Sequence, residues 1–383
     1  MPRLLRTALF ASIALLAACG GDKPAPSAEG GAAGPAADGG GTLHVFNWSD
    51  YIAEDTVAQF QAATGMTVNY DVYSGNEILV KRLAAAPTAY DVVFPSARPT
   101  AQGLVNGGQL LTLDKSKLPN LRNLDPGIMA DLANVDPGNR HLIPYLWGTT
   151  GIGVNVAKVR EALGQDAPMD SWNLVFDPAT TAKLSSCGIG VLDDNVEVTS
   201  ALMIWLGRNA DDHSDEAMAA ARDALMAIRP NVRKITGSTE LNDDLASGDL
   251  CVVLNFSGDV IQARDTAKEN DGPEIRYLLP REGAVRWVDV VAIPKGARNP
   301  DGAHQFLNFL MEPKTIAGIT NYVAYANANT AATALIDPEI AGDQAIYPPK
   351  DVSARLRGVN LSSDEGDARQ QQVWNAFVFG DSR

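Results

Sequence analysis

The fold is decided by the stretch from Thr42 to Ser96, which reads TLHVFNWSDYIAEDTVAQFQAATGMTVNYDVYSGNEILVKRLAAAPTAYDVVFPS. Three of its segments have the alternating or apolar pattern of strands, and two have helical spacing. The predicted strands are 42–46, 67–73 and 91–94, and the predicted helices are 54–63 and 76–85. This βαβαβ order with short connections predicts a mainly parallel sheet with right-handed crossovers.

The remaining chain predicts a second α/β lobe and a return to the first. Residues 144–156 form an extended stretch punctuated by glycines, which we interpret as a crossing between lobes. Another strong strand is predicted at 286–293, with helices after it. We expect lobe 1 to comprise 42–147 and 270–335, and lobe 2 to comprise 148–269 and 336–383.

The N-terminus has the layout of an export signal. Arg3 and Arg6 precede an apolar run that is too short to span a bilayer as a mature helix. The ending Leu16-Ala17-Ala18-Cys19 resembles a bacterial lipobox, which implies a signal peptide at 1–18 and a lipid on Cys19. The alternative is an ordinary signal peptide with an incidental cysteine. Residues 19–41, rich in Gly, Ala and Pro, are expected to be a flexible tether.

Charge and composition narrow the classes of function. The formal charge of −15 repels nucleic acid and anionic lipid and favours cationic partners. The chain lacks the G-x-S-x-G and H-E-x-x-H motifs, and its four histidines show no metal-ligand spacing. We therefore expect neither an enzyme nor a metal or cofactor site.

Two cysteines remain once Cys19 is assigned to lipid. In an exported chain, Cys187 and Cys251 are expected to form one disulfide between strand ends, in the same lobe. Two buried free thiols are the alternative.

The run Asn47-Trp48-Ser49-Asp50-Tyr51 contains the groups needed to hold an organic cation. Aromatic faces attract cations, and a carboxylate supplies the opposite charge. The run follows a predicted strand, and ligands of open α/β sheets bind beyond the carboxyl ends of strands. In the alternative interpretation the two rings fill core and Asp50 caps the next helix.

Similar side chains recur at the ends of later elements. Each one alone has a structural explanation as a cap, a core residue or a solvated charge. Together they repeat the chemistry of the first run. They are Ser96, Glu197, Asp259, Trp287, Asp289 and Tyr325.

Several strings resemble the periplasmic putrescine- and spermidine-binding proteins of bacterial ABC importers. These strings are Asn47 to Ile52, Phe94-Pro95-Ser96, Trp147 to Gly153, Gly258-Asp259-Val260, Val288-Asp289-Val290 and Tyr325 to Asn329. The resemblance implies a type II periplasmic-binding-protein fold with an interlobe ligand cleft. It also implies delivery of a polyamine to an ABC permease, and together with the lipobox it leads us to expect a lipid-anchored monomer in the periplasm or cell envelope. Another cationic solute, or a sensing role on the same fold, remains open.

The resemblance also implies a role for each site residue. Trp48, Tyr51 and Trp287 would line the methylene chain, with Phe256 closing the wall and Tyr325 adding a polar contact. Asp259 and Asp289 would meet ammonium groups, and Glu197 would add a further carboxylate. Ser49, Asp50 and Ser96 would bind the remaining donors.

Four positions depart from the putrescine-binding pattern. Phe256 stands where those proteins usually carry Trp, and Trp287 stands where they usually carry Phe. Asp194 looks more like the residue of the spermidine-preferring members. Arg98 stands where an uncharged residue is usual. It would oppose a cationic ligand unless it pairs with a carboxylate or points away.

Overall fold

The computed structural model describes residues 41–360 and 362–380. The predicted signal peptide, Cys19 and all of the predicted tether before residue 41 lie outside the described residues. The first strand begins at Thr42, where we expected the folded part to begin.

The described residues form one mixed sheet. Its strands are β1 Thr42–Trp48, β2 Thr67–Tyr73, β3 Val92–Val93, β4 Leu142–Asn155, β5 Ile189–Leu192, β6 Lys234–Thr236, β7 Val252–Phe256, β8 Ile275–Leu278, β9 Ala284–Ala292, β10 Ala326–Asn327 and β11 Leu356–Arg357. Along the sheet the order is β2-β1-β3-β9-β4-β7-β5-β6, with β8 and β10 pairing β4 and β11 pairing β9.

Parallel strands occupy both flanks of the sheet. On one flank β1 pairs in parallel with β2 and β3, and on the other β5 pairs in parallel with β6 and β7. The two long strands between them, β9 and β4, run antiparallel to each other, and β9 runs antiparallel to β3 and β4 to β7. The parallel pairing that the βαβαβ pattern predicts is therefore confirmed in the first flank. Each antiparallel pair of strands includes β4 or β9, the two strands that lie between the flanks.

Helices cover the faces of the sheet. They are α1 Thr56–Thr64, α2 Asn76–Ala85, α3 Gln102–Asn106, α4 Pro126–Leu132, α5 Val156–Leu163, α6 Asn173–Phe176, α7 Pro178–Leu184, α8 Asn195–Trp205, α9 Asp215–Ile228, α10 Ser238–Ser247, α11 Ser257–Glu269, α12 Pro300–Leu310, α13 Pro313–Val323, α14 Pro338–Ala341, α15 Lys350–Ser353 and α16 Asp364–Phe379. Gly65 ends α1 at a φ of 74°, a left-handed conformation that glycine adopts without strain. Across residues 41–360 and 362–380, none of the helices combines the length and hydropathy of a membrane span.

Two large apolar cores lie along the sheet, which agrees with the predicted two-lobed α/β fold. The first is built around β1 and includes Phe60 and Phe306, and the second is built around β5 and β7 and includes Trp172. The strands β4 and β9 contribute to both cores. Within β4, for example, Tyr145 is part of the first and Ile152 part of the second. The residue limits of the two lobes stay a prediction.

The predicted disulfide is confirmed. Cys187 and Cys251 are bonded, with an S–S distance of 2.03 Å and a separation of 64 residues along the chain. Cys251 precedes β7 and Cys187 precedes β5, so the bond joins the entrances of two neighbouring parallel strands in the second core.

Candidate functional site

A cavity lies beside β4 and β9, the two long strands between the flanks of the sheet. The ends of elements from both flanks converge there. We call it the cleft cavity. It is lined by Trp48, Ser49, Tyr51, Asn76, Ser96, Asp194, Glu197, Ser238, Phe256, Asp259, Trp287, Asp289 and Tyr325. It has a volume of about 50 Å³, enough for a few water molecules. A larger occupant therefore requires side chains to shift or the lobes to separate.

Ten of the eleven residues predicted to bind ligand line the cleft cavity, and Asp50 does not. Asp50 has a φ of 51°, within a tight turn that follows β1. Its side chain is exposed and accepts a hydrogen bond from Thr239 Oγ1 at 3.1 Å. The turn thus directs this carboxylate away from its neighbours Ser49 and Tyr51.

Backbone contacts hold the rings of the first flank. Trp48 is the last residue of β1, and its indole Nε1 donates to Phe94 O at 2.7 Å. The Tyr73 hydroxyl donates to the same carbonyl at 2.6 Å. Because these bonds link β1, β2 and the end of β3, the Trp48 ring is positioned by the sheet itself.

Asp289 is a buried carboxylic acid in the middle of β9. It is 4 % exposed, and its Oδ1 accepts no hydrogen bond from any described residue. Burial raises the pKa of Asp289 to about 7, while the nearby Ser96 and Tyr51 hydroxyls oppose that rise. An entering ammonium group would give this carboxylate the partner that it lacks.

Glu197 and Asp194 form an acidic pair where α8 begins. Asp194 caps the helix by accepting from Glu197 N at 3.0 Å, and Thr150 Oγ1 donates to Glu197 Oε2. Burial, and then the charge of Asp194, raise the pKa of Glu197 to about 8. Burial likewise raises the pKa of Asp194. As expected, Glu197 follows the strand that ends at Leu192, and it lies in the first turn of α8.

Asp259 is held by hydrogen-bond donors from two directions. The Tyr325 hydroxyl donates to its Oδ2, and Asn242 Nδ2 donates to its Oδ1 at 3.1 Å. Burial raises the pKa of Asp259, and hydrogen bonds from Tyr325, Asn242 and Ser238 oppose that rise. This carboxylate is therefore solvated by protein groups, unlike that of Asp289.

Trp287 is the central ring of an aromatic cluster. Ring centroids of Tyr325, Phe256 and Tyr51 lie 5.2, 5.6 and 6.5 Å from that of Trp287. A Cβ at Gly148 would approach the indole to 2.6 Å, so only glycine fits at this point of β4. The cluster offers flat apolar faces among the carboxylates.

Arg98 pairs with a carboxylate, one of the two arrangements that would make it compatible with a cationic ligand. Its guanidinium lies 3.4 Å from Asp131 Oδ2, and that of Arg286 lies 3.5 Å from the same atom. These three residues line a neighbouring cavity that shares Glu197 and Trp287 with the cleft cavity.

Two lining residues, Asn76 and Ser238, were missed by the sequence analysis. Asn76 Nδ2 donates to Ser96 Oγ at 3.0 Å, and Ser96 N donates to Asn76 Oδ1 at 3.1 Å. Each of the two residues begins a helix directly after a strand and a glycine, at Gly75 and Gly237. The rule that pointed to Ser96 at a strand end could have found them.

The site offers four carboxylates and a cluster of aromatic rings inside one cavity. In the part of the chain that the structure describes, no group of three or more His, Cys, Asp or Glu side chains is arranged to hold a metal ion. Such a cavity between two α/β lobes defines a solute-binding protein that recognises an organic cation by charge and by ring stacking.

Comparison with known proteins places the chain more narrowly. Residues 55–348 match the bacterial extracellular solute-binding proteins, and the chain belongs to that family. It is 44 % identical to the putrescine-binding periplasmic protein PotF of Escherichia coli (strain K12), over 88 % of this chain and 92 % of that protein.

Two solved structures share the fold. One is a Listeria monocytogenes protein provisionally assigned as a spermidine/putrescine ABC transporter, with a TM-score of 0.78 and 32 % identity over 88 % of this chain and 98 % of that one. The other is the Tp0655 (TpPotD) lipoprotein of Treponema pallidum, with a TM-score of 0.73 and 25 % identity over 88 % of this chain and 99 % of that one.

Proposed function

We propose that this protein captures a polyamine, putrescine or spermidine, in the cleft cavity. One observation carries the proposal: one buried and three partly buried carboxylates converge there with a cluster of aromatic rings. A polyamine has charged ends and an apolar middle, so its ammonium groups need acceptors while its methylenes need apolar contact. Asp289 in β9 and Asp259 at the start of α11 supply acceptors, and Trp287 lies among the rings that would enclose the methylenes. The names of the relatives support the same class of ligand.

The role that fits such a site is binding and delivery rather than catalysis. The protein would pass its ligand to an ABC permease and would act as a monomer in the periplasm. Cys19 would carry the lipid that holds it to the membrane, an arrangement that the lipoprotein relative supports. Replacing residues 1–19 with a secretory signal peptide that is cleaved without lipidation should release the protein into the soluble periplasmic fraction. Continued membrane association of that variant would contradict the anchor.

Calorimetric titration tests the ligand. The protein without residues 1–19 would be titrated with putrescine, cadaverine, spermidine and spermine, and with the neutral diol 1,4-butanediol as a control of similar length. We expect saturable binding of at least putrescine or spermidine and none of the diol, because the carboxylates select for charge. Absence of heat with all four amines would refute the proposal.

A further inference from the structure

A second and larger cavity lies beside the crossing strand β4. It has a volume of about 240 Å³, and we call it the Trp147 cavity after the residue that contributes one of its walls. It shares no lining residue with the cleft cavity. Trp147 precedes Gly148, the glycine that packs against Trp287 of the cleft cavity.

Two rings shape the apolar part of this cavity. The Trp147 and Tyr347 ring centroids are 6.1 Å apart, and their planes are almost perpendicular at 86°. Ile128 and Ile336 extend the apolar wall. The Tyr347 hydroxyl is buried beside the backbone of Asn327.

Asp125 alone carries a charge among the described residues that line the Trp147 cavity. It is half-buried, and its Oδ1 accepts a hydrogen bond from Ile128 N at 2.9 Å as the cap of α4. Its Oδ2 accepts no hydrogen bond from the described residues. A carboxylate beside aromatic faces attracts cations and repels anions.

The walls of the cavity are held by contacts between lining residues and by contacts beside them. On one side, Asp125 N donates to Ala328 O at 2.7 Å. On the other, the segment that leads to Tyr347 is held to α11 by an ion pair of Arg264 Nη1 with Asp343 Oδ2 at 2.7 Å. The cavity is therefore preformed, which lowers the cost of ordering it around an occupant.

We propose that the Trp147 cavity is a second binding site, for an organic ammonium compound with one positive charge and an apolar body. The single carboxylate matches one ammonium group, and the two rings with their isoleucine neighbours match an apolar body. The four carboxylates of the cleft cavity match a compound with several charges. The two cavities thus differ in the number of charges that they accept.

Phenethylamine is a suitable probe, with 2-phenylethanol as its neutral counterpart. Titration of the protein would be followed by NMR of the tryptophan indole N–H groups, with the signals assigned by Trp147→Phe and Trp287→Phe. The two indoles report separately on the two cavities. We expect a saturable shift of the Trp147 signal with the amine and about fivefold weaker binding of the alcohol. Without a saturable shift at Trp147, the second site does not exist.

Asp125→Asn tests the charge without removing the helix cap, because Asn caps helices as well as Asp does. Asp337→Asn is a matched control that removes the same charge from an exposed position outside the cavity. We expect about fivefold weaker phenethylamine binding in the first variant and no change in the second. Equal binding of amine and alcohol, or equal effects of the two variants, would overturn the assignment to an ammonium ligand. The Trp287 response to putrescine tests the polyamine proposal independently.

Discussion

Asp289 determines much of the electrostatic behaviour of the cleft cavity. Its burial disfavours the ionised form, and one of its oxygens lacks a partner within the described residues. The ligand-free protein is therefore less stable than it would be with a neutral side chain at this position. A bound ammonium group stabilises the same carboxylate, so in the complex Asp289 adds to the stability of the protein instead of lowering it.

Asp289→Asn should reduce polyamine affinity far more than it reduces stability. Loss of one side of a buried ion pair typically costs about 3 to 5 kcal/mol. In the absence of ligand the melting temperature should be equal to or higher than that of the wild type. Calorimetry and thermal unfolding measure the two quantities, with Asp249→Asn at an exposed position as control. An unchanged dissociation constant would place Asp289 outside the ligand contacts.

The ligand-free protein should lose stability as the pH rises from about 5 to 8. Asp289 and Glu197 have folded-state pKa values of about 7 and 8, above their ordinary values of 3.8 and 4.5. Over this interval the folded protein holds more protons than the unfolded chain, so the free energy of unfolding falls with pH. Denaturant unfolding at several pH values measures the slope, and Asp289→Asn should make it shallower. If the slope is the same in Asp289→Asn as in the wild type, Asp289 does not cause the loss of stability with pH.

Trp287→Phe should weaken spermidine binding more than putrescine binding. Trp287 is the largest ring of the cluster, and a longer polyamine needs a longer stacking surface. We expect a loss of about 0.5 to 2 kcal/mol for spermidine, the size of one cation–π contact. Parallel titrations with both amines test this. If both affinities fall equally, the ring is only a general wall, and the basis of discrimination must lie elsewhere, as at Asp194.

Strand ends explain how much of the site the sequence could predict. Trp48 is the last residue of β1, and Ser96 follows shortly after β3, which pairs with β1 in parallel. The carboxyl ends of parallel strands meet at one edge of a sheet, so the two residues could be expected to lie together. Asp50 could not be oriented in this way, because its direction depends on a turn with positive φ. The antiparallel register of β9 with β4 was equally hidden, since it pairs segments that lie far apart in the chain.

Removal of the disulfide should destabilise the protein without changing ligand affinity. Neither cysteine lines the cleft cavity, and the bond closes a loop with a separation of 64 residues. The chain-entropy model gives a contribution of roughly 4 kcal/mol for such a loop. Denaturant unfolding of the Cys187→Ala, Cys251→Ala double variant measures it, and alkylation with and without reductant verifies the bond in the wild type. An equal loss of polyamine affinity would instead indicate that the bond positions the site.

The size of the cleft cavity implies that the whole molecule changes shape during binding. The cavity is narrow and Asp289 within it is buried, so we expect the ligand to enter through a more open arrangement. Ligand would then shift the population toward the closed one. Small-angle X-ray scattering should show a larger radius of gyration without putrescine than with it. The same putrescine concentration should produce less contraction in Asp289→Asn, and identical radii in the wild type would exclude lobe closure.

The position of β9 within the sheet has a consequence for how the newly made chain folds. This strand lies between β3 and β4, yet it is formed by residues 284–292, after every strand of the other flank. The core around β1 therefore cannot be completed until about three quarters of the polypeptide has left the ribosome. Contacts between such distant segments slow folding. A chain that stays unfolded during synthesis can still be threaded through a membrane pore, so this strand order delays compaction until export is well advanced.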